Sequence, residues 1–436
     1  MRRLAVVGLV VLAAGCQTRD PAPPRAPGYR VTCLDGGVLE VSLWVPLGQA
    51  GRWEWAHGRE GVESLSTEPE AAFEATASGV TLAPKVREVR YRYRLAGGAD
   101  LARGAGGNGA WAVDAESYLL LPRDPVRGLE LDLRSPGAAQ QLPRPDGRYL
   151  LEPSTQETPG LHVHGVSART LERGGLRARW VALTGGSRWS EPRLEAWLAK
   201  TLSEAASVVP WLRDPLIALL PRAGAGEGAP TIYPGAPPAI AQPLGQATVD
   251  FSATWALLRG LCLAALPEAA PEERWLSEGA ATYLQHLASW RSGRRTAAET
   301  LGRLRDGMIR AAAGAGRDSL RLLARSDGDA AYAASYWGGA LLLLDLDLEL
   351  HARGEALEEV LAALAARGQL SEAALRAEVE ARCPGVFAPL ALAHLEGPAL
   401  RATNGVFQRL GLERDGSLSA SGAAARASLA SPSRKR

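Results

Sequence analysis

Over residues 29–183 the hydrophobic positions either alternate with polar ones or fall in short apolar runs. Val89, Tyr91, Tyr93 and Leu95 alternate with Arg90, Arg92 and Arg94, which predicts a half-buried antiparallel strand, since successive side chains of a strand point to opposite faces. Further strand-like stretches at 38–45, 118–121, 129–133, 149–151, 161–166 and 176–183 are separated by Gly, Pro and Asp. Together they predict a sandwich-like β domain leading into a second, smaller sheet. After Ser190 the period becomes helical. Leu194, Trp197, Leu198 and Leu202 share one helical face, with Ser190 as N-cap and Pro192 in the first turn. From about Phe251 to Leu410 nearly everything reads as helix, and the Gly/Pro-rich stretch 221–243, with Gly224-Ala-Gly-Glu-Gly228 inside it, reads as a connecting loop. The fold class is α+β: an antiparallel β domain first, a mostly helical domain second.

The chain is long enough for two or three domains with cores of their own, and 46% of its 436 residues are hydrophobic. The balance of 49 basic and 47 acidic residues excludes a nucleic-acid-binding surface spread over the whole chain. The Gly-rich run 104–109 has no Lys-Ser/Thr after it, which excludes a phosphate loop. At the start, Arg2 and Arg3 precede an apolar run at 4–14 that ends in Gly15-Cys16. Eleven residues are too few to span a bilayer as a helix, so the run is a signal peptide and not a membrane anchor. A small residue before Cys at the end of such a run resembles the bacterial lipoprotein cleavage site. The resemblance implies that Cys16 becomes the lipidated first residue of the mature chain, and Gln17 after it favours the outer membrane over inner-membrane retention. Cys33, Cys262 and Cys383 then remain, with no CxxC, so a single disulfide is compatible with the sequence and a zinc–thiolate site is not. Residues 17–28 form a Pro-rich tether, and the Ser/Ala/Gly-rich tail 413–436 is expected to be disordered.

The stretch Trp275-Leu-Ser-Glu-Gly-Ala-Ala-Thr-Tyr283 resembles the W-L-x-E-G-x-x-x-Y segment of gluzincin metallopeptidases, in which the Glu is the third zinc ligand. Downstream, Ser335-Tyr-Trp-Gly-Gly and the Leu-rich run after it are similar to the Tyr-x-Lys-Gly helix of that group, whose Tyr stabilises the oxyanion of the tetrahedral intermediate. The continuation at 354–364 most resembles the glycyl-aminopeptidase branch. The resemblance covers roughly residues 29–412 and implies a β-sandwich-like domain at 29–155 followed by a thermolysin-like peptidase domain at 156–412.

Such enzymes need two His one turn apart, written H-E-x-x-H, so that both imidazoles face one zinc ion while the Glu between them acts as general base. Counting back from Glu278 by the family's spacing places that motif on Trp255-Ala256-Leu257-Leu258-Arg259. Both His ligands and the base are replaced, so the resemblance implies a zinc site whose ligands are lost and a catalytic set with none of its members intact. Gly338 stands where the family carries Lys, and the strand that aligns the substrate amino terminus has no recognisable counterpart. No Gly-x-Ser-x-Gly elbow supplies another nucleophile. Of the six His, only His162 and His164, two apart on a predicted strand, have ligand spacing, and an exposed pair on a sheet is the expectation for them. His286 reads as a surface residue, and Asp345, Asp347 and Glu349 as a solvated helix surface.

Glu278 without zinc is a carboxylate in need of a partner, and the family geometry puts Arg259 opposite it. The expectation is an Arg259–Glu278 pair at the zinc position with the Trp255 ring filling the remaining space. The alternative is that Arg259 points to solvent and Glu278 caps a local group. Tyr336 is either a vestigial cleft residue or plain core. The sequence therefore points to a lipid-anchored envelope protein without cofactor or metal, a pseudo-peptidase binding a peptide or protein partner. An active peptidase using non-standard ligands and a structural lipoprotein with a collapsed cleft are the alternatives.

Overall fold

The computed structural model describes residues 28–431, apart from 35–37, 46–50, 55–61, 69–72, 77–78, 95–101, 104–110, 115–118, 120, 123–128, 135–136, 140–148, 152–160, 165, 184–188, 223, 225 and 246–254. Cys16, the apolar run before it, nearly all of the Pro-rich tether and the Gly-rich run 104–109 lie outside the described residues.

The N-terminal part is built from β-sheets. A six-stranded sheet has the order Tyr149–Leu151, Leu129–Leu133, Gly28–Leu34, Val38–Trp44, Glu88–Arg94, Val62–Glu68, and only the pair Gly28–Leu34 with Leu129–Leu133 is parallel. The alternation at 88–94 is realised: Val89, Tyr91 and Tyr93 are buried, while Arg90, Arg92 and Arg94 reach Glu88 and Glu68, Glu40, and Glu63 across the outer face. The inner face packs Tyr29, Val31, Leu39, Val41 and Leu43 on Trp53, Val80 and Leu82 of a four-stranded sheet, which makes the expected sandwich.

A third sheet has the order Gly137–Ala139, Leu161–His164, Trp111–Asp114, Ala102–Arg103. The strand at 161–164 therefore pairs with the N-terminal strands, and a boundary at 155/156 cuts ahead of it. The fourth sheet runs Arg169–Arg173, Leu176–Ala182, Leu216–Arg222, Ala239–Gly245, Thr231–Tyr233, with its three central strands parallel. Its central residues are buried on both sides, as an apolar run without alternation requires. Ile217, Leu219 and Ile240 face the helices, and Leu216, Ala218, Ala239 and Ala241 pack on Leu161 and Val163 of the third sheet.

The helical part comprises α1 (Glu191–Ala206), α2 (Ala256–Ala264), α3 (Arg274–Arg291), α4 (Ala297–Ala315), α5 (Leu320–Ala324), α6 (Asp329–His351), α7 (Leu357–Ala366), α8 (Glu372–Arg382), α9 (Phe387–Ala391), a π-helical turn at Leu392–Glu396, α10 (Thr403–Arg409) and α11 (Ala423–Ala430). α1 starts after Ser190 and buries Leu194, Trp197, Leu198 and Leu202, the stripe that the periodicity predicts. α6 is the hub, apolar nearly all round and buried against α3, α4, α5, α7, α9 and α11. No helix among the described residues is long and apolar enough to cross a membrane.

The tail departs from the expected disorder. α11 docks on α3 and α6, buries Leu429 and receives a hydrogen bond from Arg291 Nε to the Leu429 carbonyl. Ala-rich composition carries little periodic signal, but one buried Leu and the satisfied carbonyl fix the helix in place.

Candidate functional site

Three helices set the site, and two glycines set the distance between them. A Cβ on Gly279 of α3 would stand 2.4 Å from the Gly339 carbonyl carbon, and a Cβ on Gly339 of α6 would stand 1.9 Å from the Trp275 carbonyl oxygen. Only glycine at both positions lets the two backbones touch. That contact brings Glu278, next to Gly279, close to Tyr336, which lies almost one turn before Gly339. α2 lies alongside α3, its Gly260 seated on Pro230 and Ile232.

Between the three helices Arg259 of α2 donates from Nη2 to Glu278 Oε2, and its guanidinium carbon sits 5.0 Å from the centroid of the Tyr336 ring. The pair is largely withdrawn from water, with 11% of the Arg259 and 19% of the Glu278 side chain exposed. Arg259 therefore does not point to solvent. Tyr336 is half-buried, meets the Arg259 guanidinium and stacks edge-on with Trp337 at 5.0 Å.

The other expected occupant is not where it was placed. Trp255 is the N-cap of α2 and 45% exposed, so its ring does not fill the space beside the ion pair. The one-turn relation of the two positions holds, because the Arg259 N–H bonds the Trp255 carbonyl at 3.1 Å. What meets the start of α2 is Glu227. Its carboxylate accepts from the backbone N–H groups of Trp255 and Ala256 at 2.5 Å and Leu257 at 3.4 Å. Glu227 thereby supplies the acceptor that the Trp255 N-cap lacks. Burial pushes the Glu227 carboxyl up, and the three N–H donors oppose the shift. The loop is held by antiparallel pairing of Glu227 with Leu244 and by Gly226 and Gly228 bonds to Gly245 and Pro243. Reading the glycine cluster at 224–228 only as a loop missed this residue. The one available signal was a lone acid between glycines ahead of an uncapped helix.

The donor set at this place does not fit a zinc ion. Arg259 is cationic, Trp255 and Ala256 offer no ligand atom, and the Glu278 carboxylate is bonded to Arg259.

The remaining residues with metal-binding side chains are not gathered here. His162 and His164 lie on one side of their strand, ring centroids 6.4 Å apart, and both are fully buried where an exposed pair was expected. Burial holds both imidazoles below their usual range, His164 at about 4. His286 is also buried and not on the surface; burial first, then the Arg295 and Arg303 cations, lower it to about 3. Its ring lies 6.1 Å from Trp337. Asp345 and Asp347 are buried too, contrary to a solvated surface. Asp345 binds His394 Nε2 at 2.8 Å and Arg409 Nη1 at 2.6 Å, and Asp347 accepts from the Tyr283 hydroxyl at 2.5 Å. Cys262 and Cys383 are free thiols, and burial pushes Cys262 up to about 12.

No protein-family model and no curated protein matches the sequence. Solved structures do. The chain aligns with an aminopeptidase N family protein of Idiomarina loihiensis at TM-score 0.68 and 13% identity, covering 88% of this chain and 78% of that one. It aligns with a point mutant of the M1 zinc metallopeptidase of Deinococcus radiodurans at TM-score 0.52 and 17% identity, over 86% and 95% of the two chains. Yeast LTA4 hydrolase aligns at TM-score 0.50 and 12% identity, over 86% and 67%. At these identities the likeness is one of architecture, with β-sheets ahead of a mostly helical part in the same arrangement. This chain has a gluzincin peptidase-like fold.

Proposed function

We propose that the chain is a catalytically inactive metallopeptidase-like lipoprotein of the bacterial envelope. It is anchored through Cys16, faces the periplasm from the outer membrane, and uses the cleft between its β and α parts to bind a peptide or a protein partner. One observation carries the loss of catalysis: the Arg259–Glu278 ion pair under the Tyr336 ring. A guanidinium stays charged at any accessible pH, so it repels a divalent cation and holds the one carboxylate that a cation there would need. Tyr336 then has no metal-bound group to assist. A cleft that keeps its walls without the reacting centre is suited to holding an extended chain.

The test is a peptide library presented to the purified protein, scored both for hydrolysis with and without chelator and for saturable binding. The proposal expects binding without hydrolysis. Chelator-sensitive cleavage overturns it in favour of an active peptidase using non-standard ligands. Absence of both binding and hydrolysis in a folded protein supports a structural lipoprotein with a collapsed cleft instead. The anchor is tested separately: labelling with a palmitate analogue and membrane fractionation should both be lost in Cys16→Ser.

A further inference from the structure

We propose that Asp347, His351 and Glu358 form a site for one divalent metal ion of the zinc class at the C-terminal end of α6, where the ion ties α6 to α7. The three side chains each offer a ligand atom, and these atoms lie within 4.8 Å of one another. Asp347 and His351 are one turn apart on α6, and Glu358 is in the first turn of α7. The site is about 16 Å along the helix from Tyr336 at ~1.5 Å per residue, so it is a different place from the Arg259–Glu278 pair.

Two atoms of this cluster are buried without a hydrogen-bond partner among the described residues: Glu358 Oε2 and His351 Nε2. Glu358 is 5% exposed and Asp347 fully buried. A carboxylate oxygen taken out of water and given no donor is costly, and a metal ion supplies the missing partner. The other atoms are held as ligands usually are. Tyr283 donates to Asp347 Oδ2 at 2.5 Å, the Leu357 N–H donates to Asp347 Oδ1 at 3.0 Å, and Arg291 donates to Glu358 Oε1. Such contacts orient a ligand and leave one lone-pair direction for the ion.

The charge count agrees. Arg291 is the cation bonded to the cluster, against the two buried carboxylates of Asp347 and Glu358. The negative end of the α6 dipole falls on the same spot, because His351 is the last residue of the helix. One imidazole nitrogen and two carboxylate oxygens, with water to complete the shell, suit zinc better than calcium, which takes six to eight oxygens.

The experiment uses the full-length protein in detergent, stripped with chelator and titrated with Zn²⁺ alone, read by calorimetry and by thermal unfolding. Wild type should take up one equivalent with a rise in Tm. Glu358→Gln and His351→Gln should each weaken the affinity by about tenfold or more, and Glu278→Gln should leave it unchanged. Absence of saturable binding in wild type overturns the proposal. Loss of binding in Glu278→Gln with retention in His351→Gln also overturns it, and places the ion at the Arg259–Glu278 pair, which would count against the proposed function as well. His351 sits at the half-buried helix end, so its variant remains readable if Glu358→Gln fails to fold. Co²⁺ in place of Zn²⁺ gives a visible spectrum that His351→Gln should alter.

Discussion

Arg259 on α2 holds the Glu278 carboxylate of α3 from nineteen residues away in sequence while its guanidinium packs 5.0 Å from the Tyr336 ring of α6. One side chain thus joins the three helices. The cation meets a negative partner at its edge and the electron-rich face of an aromatic ring, so it is compensated although mostly buried. The charges are paired, although Arg259 Nε is buried without a hydrogen-bond partner among the described residues.

Removing only one member of the pair should be far worse than removing both. Arg259→Leu or Glu278→Leu alone leaves a mostly buried charge uncompensated and should destabilise the protein by about 3 kcal/mol, whereas the two together should recover most of that loss. Urea unfolding of the four proteins in the double-mutant cycle measures the coupling. A loss in the double variant equal to the sum of the two single losses would show that Arg259 and Glu278 act independently.

If α2 and α3 keep the relation on which the resemblance rests, ligands can be returned to them. The triple variant Trp255→His, Ala256→Glu, Arg259→His should bind one Zn²⁺ more than wild type, and adding Glu278→Gln should remove that extra equivalent. Trp255 and Arg259 are one hydrogen-bonded turn apart, which meets the spacing requirement. A folded triple variant with the zinc content of wild type would show that the register is wrong.

The arrangement was legible wherever pattern and chemistry coincide. The Tyr/Arg alternation at 89–94 marks an interior strand of the first sheet, next to its edge, and counting back from Glu278 reaches its partner Arg259. Burial on α6 was not legible. Its run of Leu broken by Asp345, Asp347 and Glu349 is apolar on every side, so a 3.6-residue period singles out no solvent face, and the acids look exposed when two of them are buried with His394, Arg409 and Tyr283. Glu227 was hidden for the opposite reason. Its loop has no period at all, and its role is defined by the N–H groups of Trp255, Ala256 and Leu257, nearly thirty residues away.

The glycine contact between α3 and α6 should be intolerant of a single methyl group. Gly279→Ala drives its Cβ to 2.4 Å from backbone that cannot swing aside, so the helices must separate, at a cost of about 3 kcal/mol or more. Gly302→Ala, on α4 with nothing within 4 Å of its Cβ, should instead stabilise by roughly 0.5–1 kcal/mol through helix propensity. Thermal unfolding of both variants separates packing from propensity. A Gly279→Ala protein as stable as wild type would mean that the two helices are not in backbone contact.

Acid should unfold this protein partly through His286. In the folded state its imidazole takes a proton only near pH 3, because it is buried beside Arg295 and Arg303, while in the unfolded chain it does so near its ordinary 6.5. Between those values the unfolded state binds the proton and the folded state does not, so stability is complete above about pH 6.5 and falls as the pH drops toward 3. From pH 7 to pH 4 the loss from this residue amounts to about 3 kcal/mol. His162 and His164 shift in the same direction, so wild type should lose more than this in total. The His286 part is isolated by His286→Phe, which keeps a ring against Trp337 but does not titrate. Denaturant unfolding of both proteins at pH 7 and pH 4 should show a smaller fall for the variant, by that amount. Equal falls would mean that the imidazole is protonated or solvated in the native state, and that the aromatic layer of His286, Trp337 and Tyr336 beside the cleft is open to water.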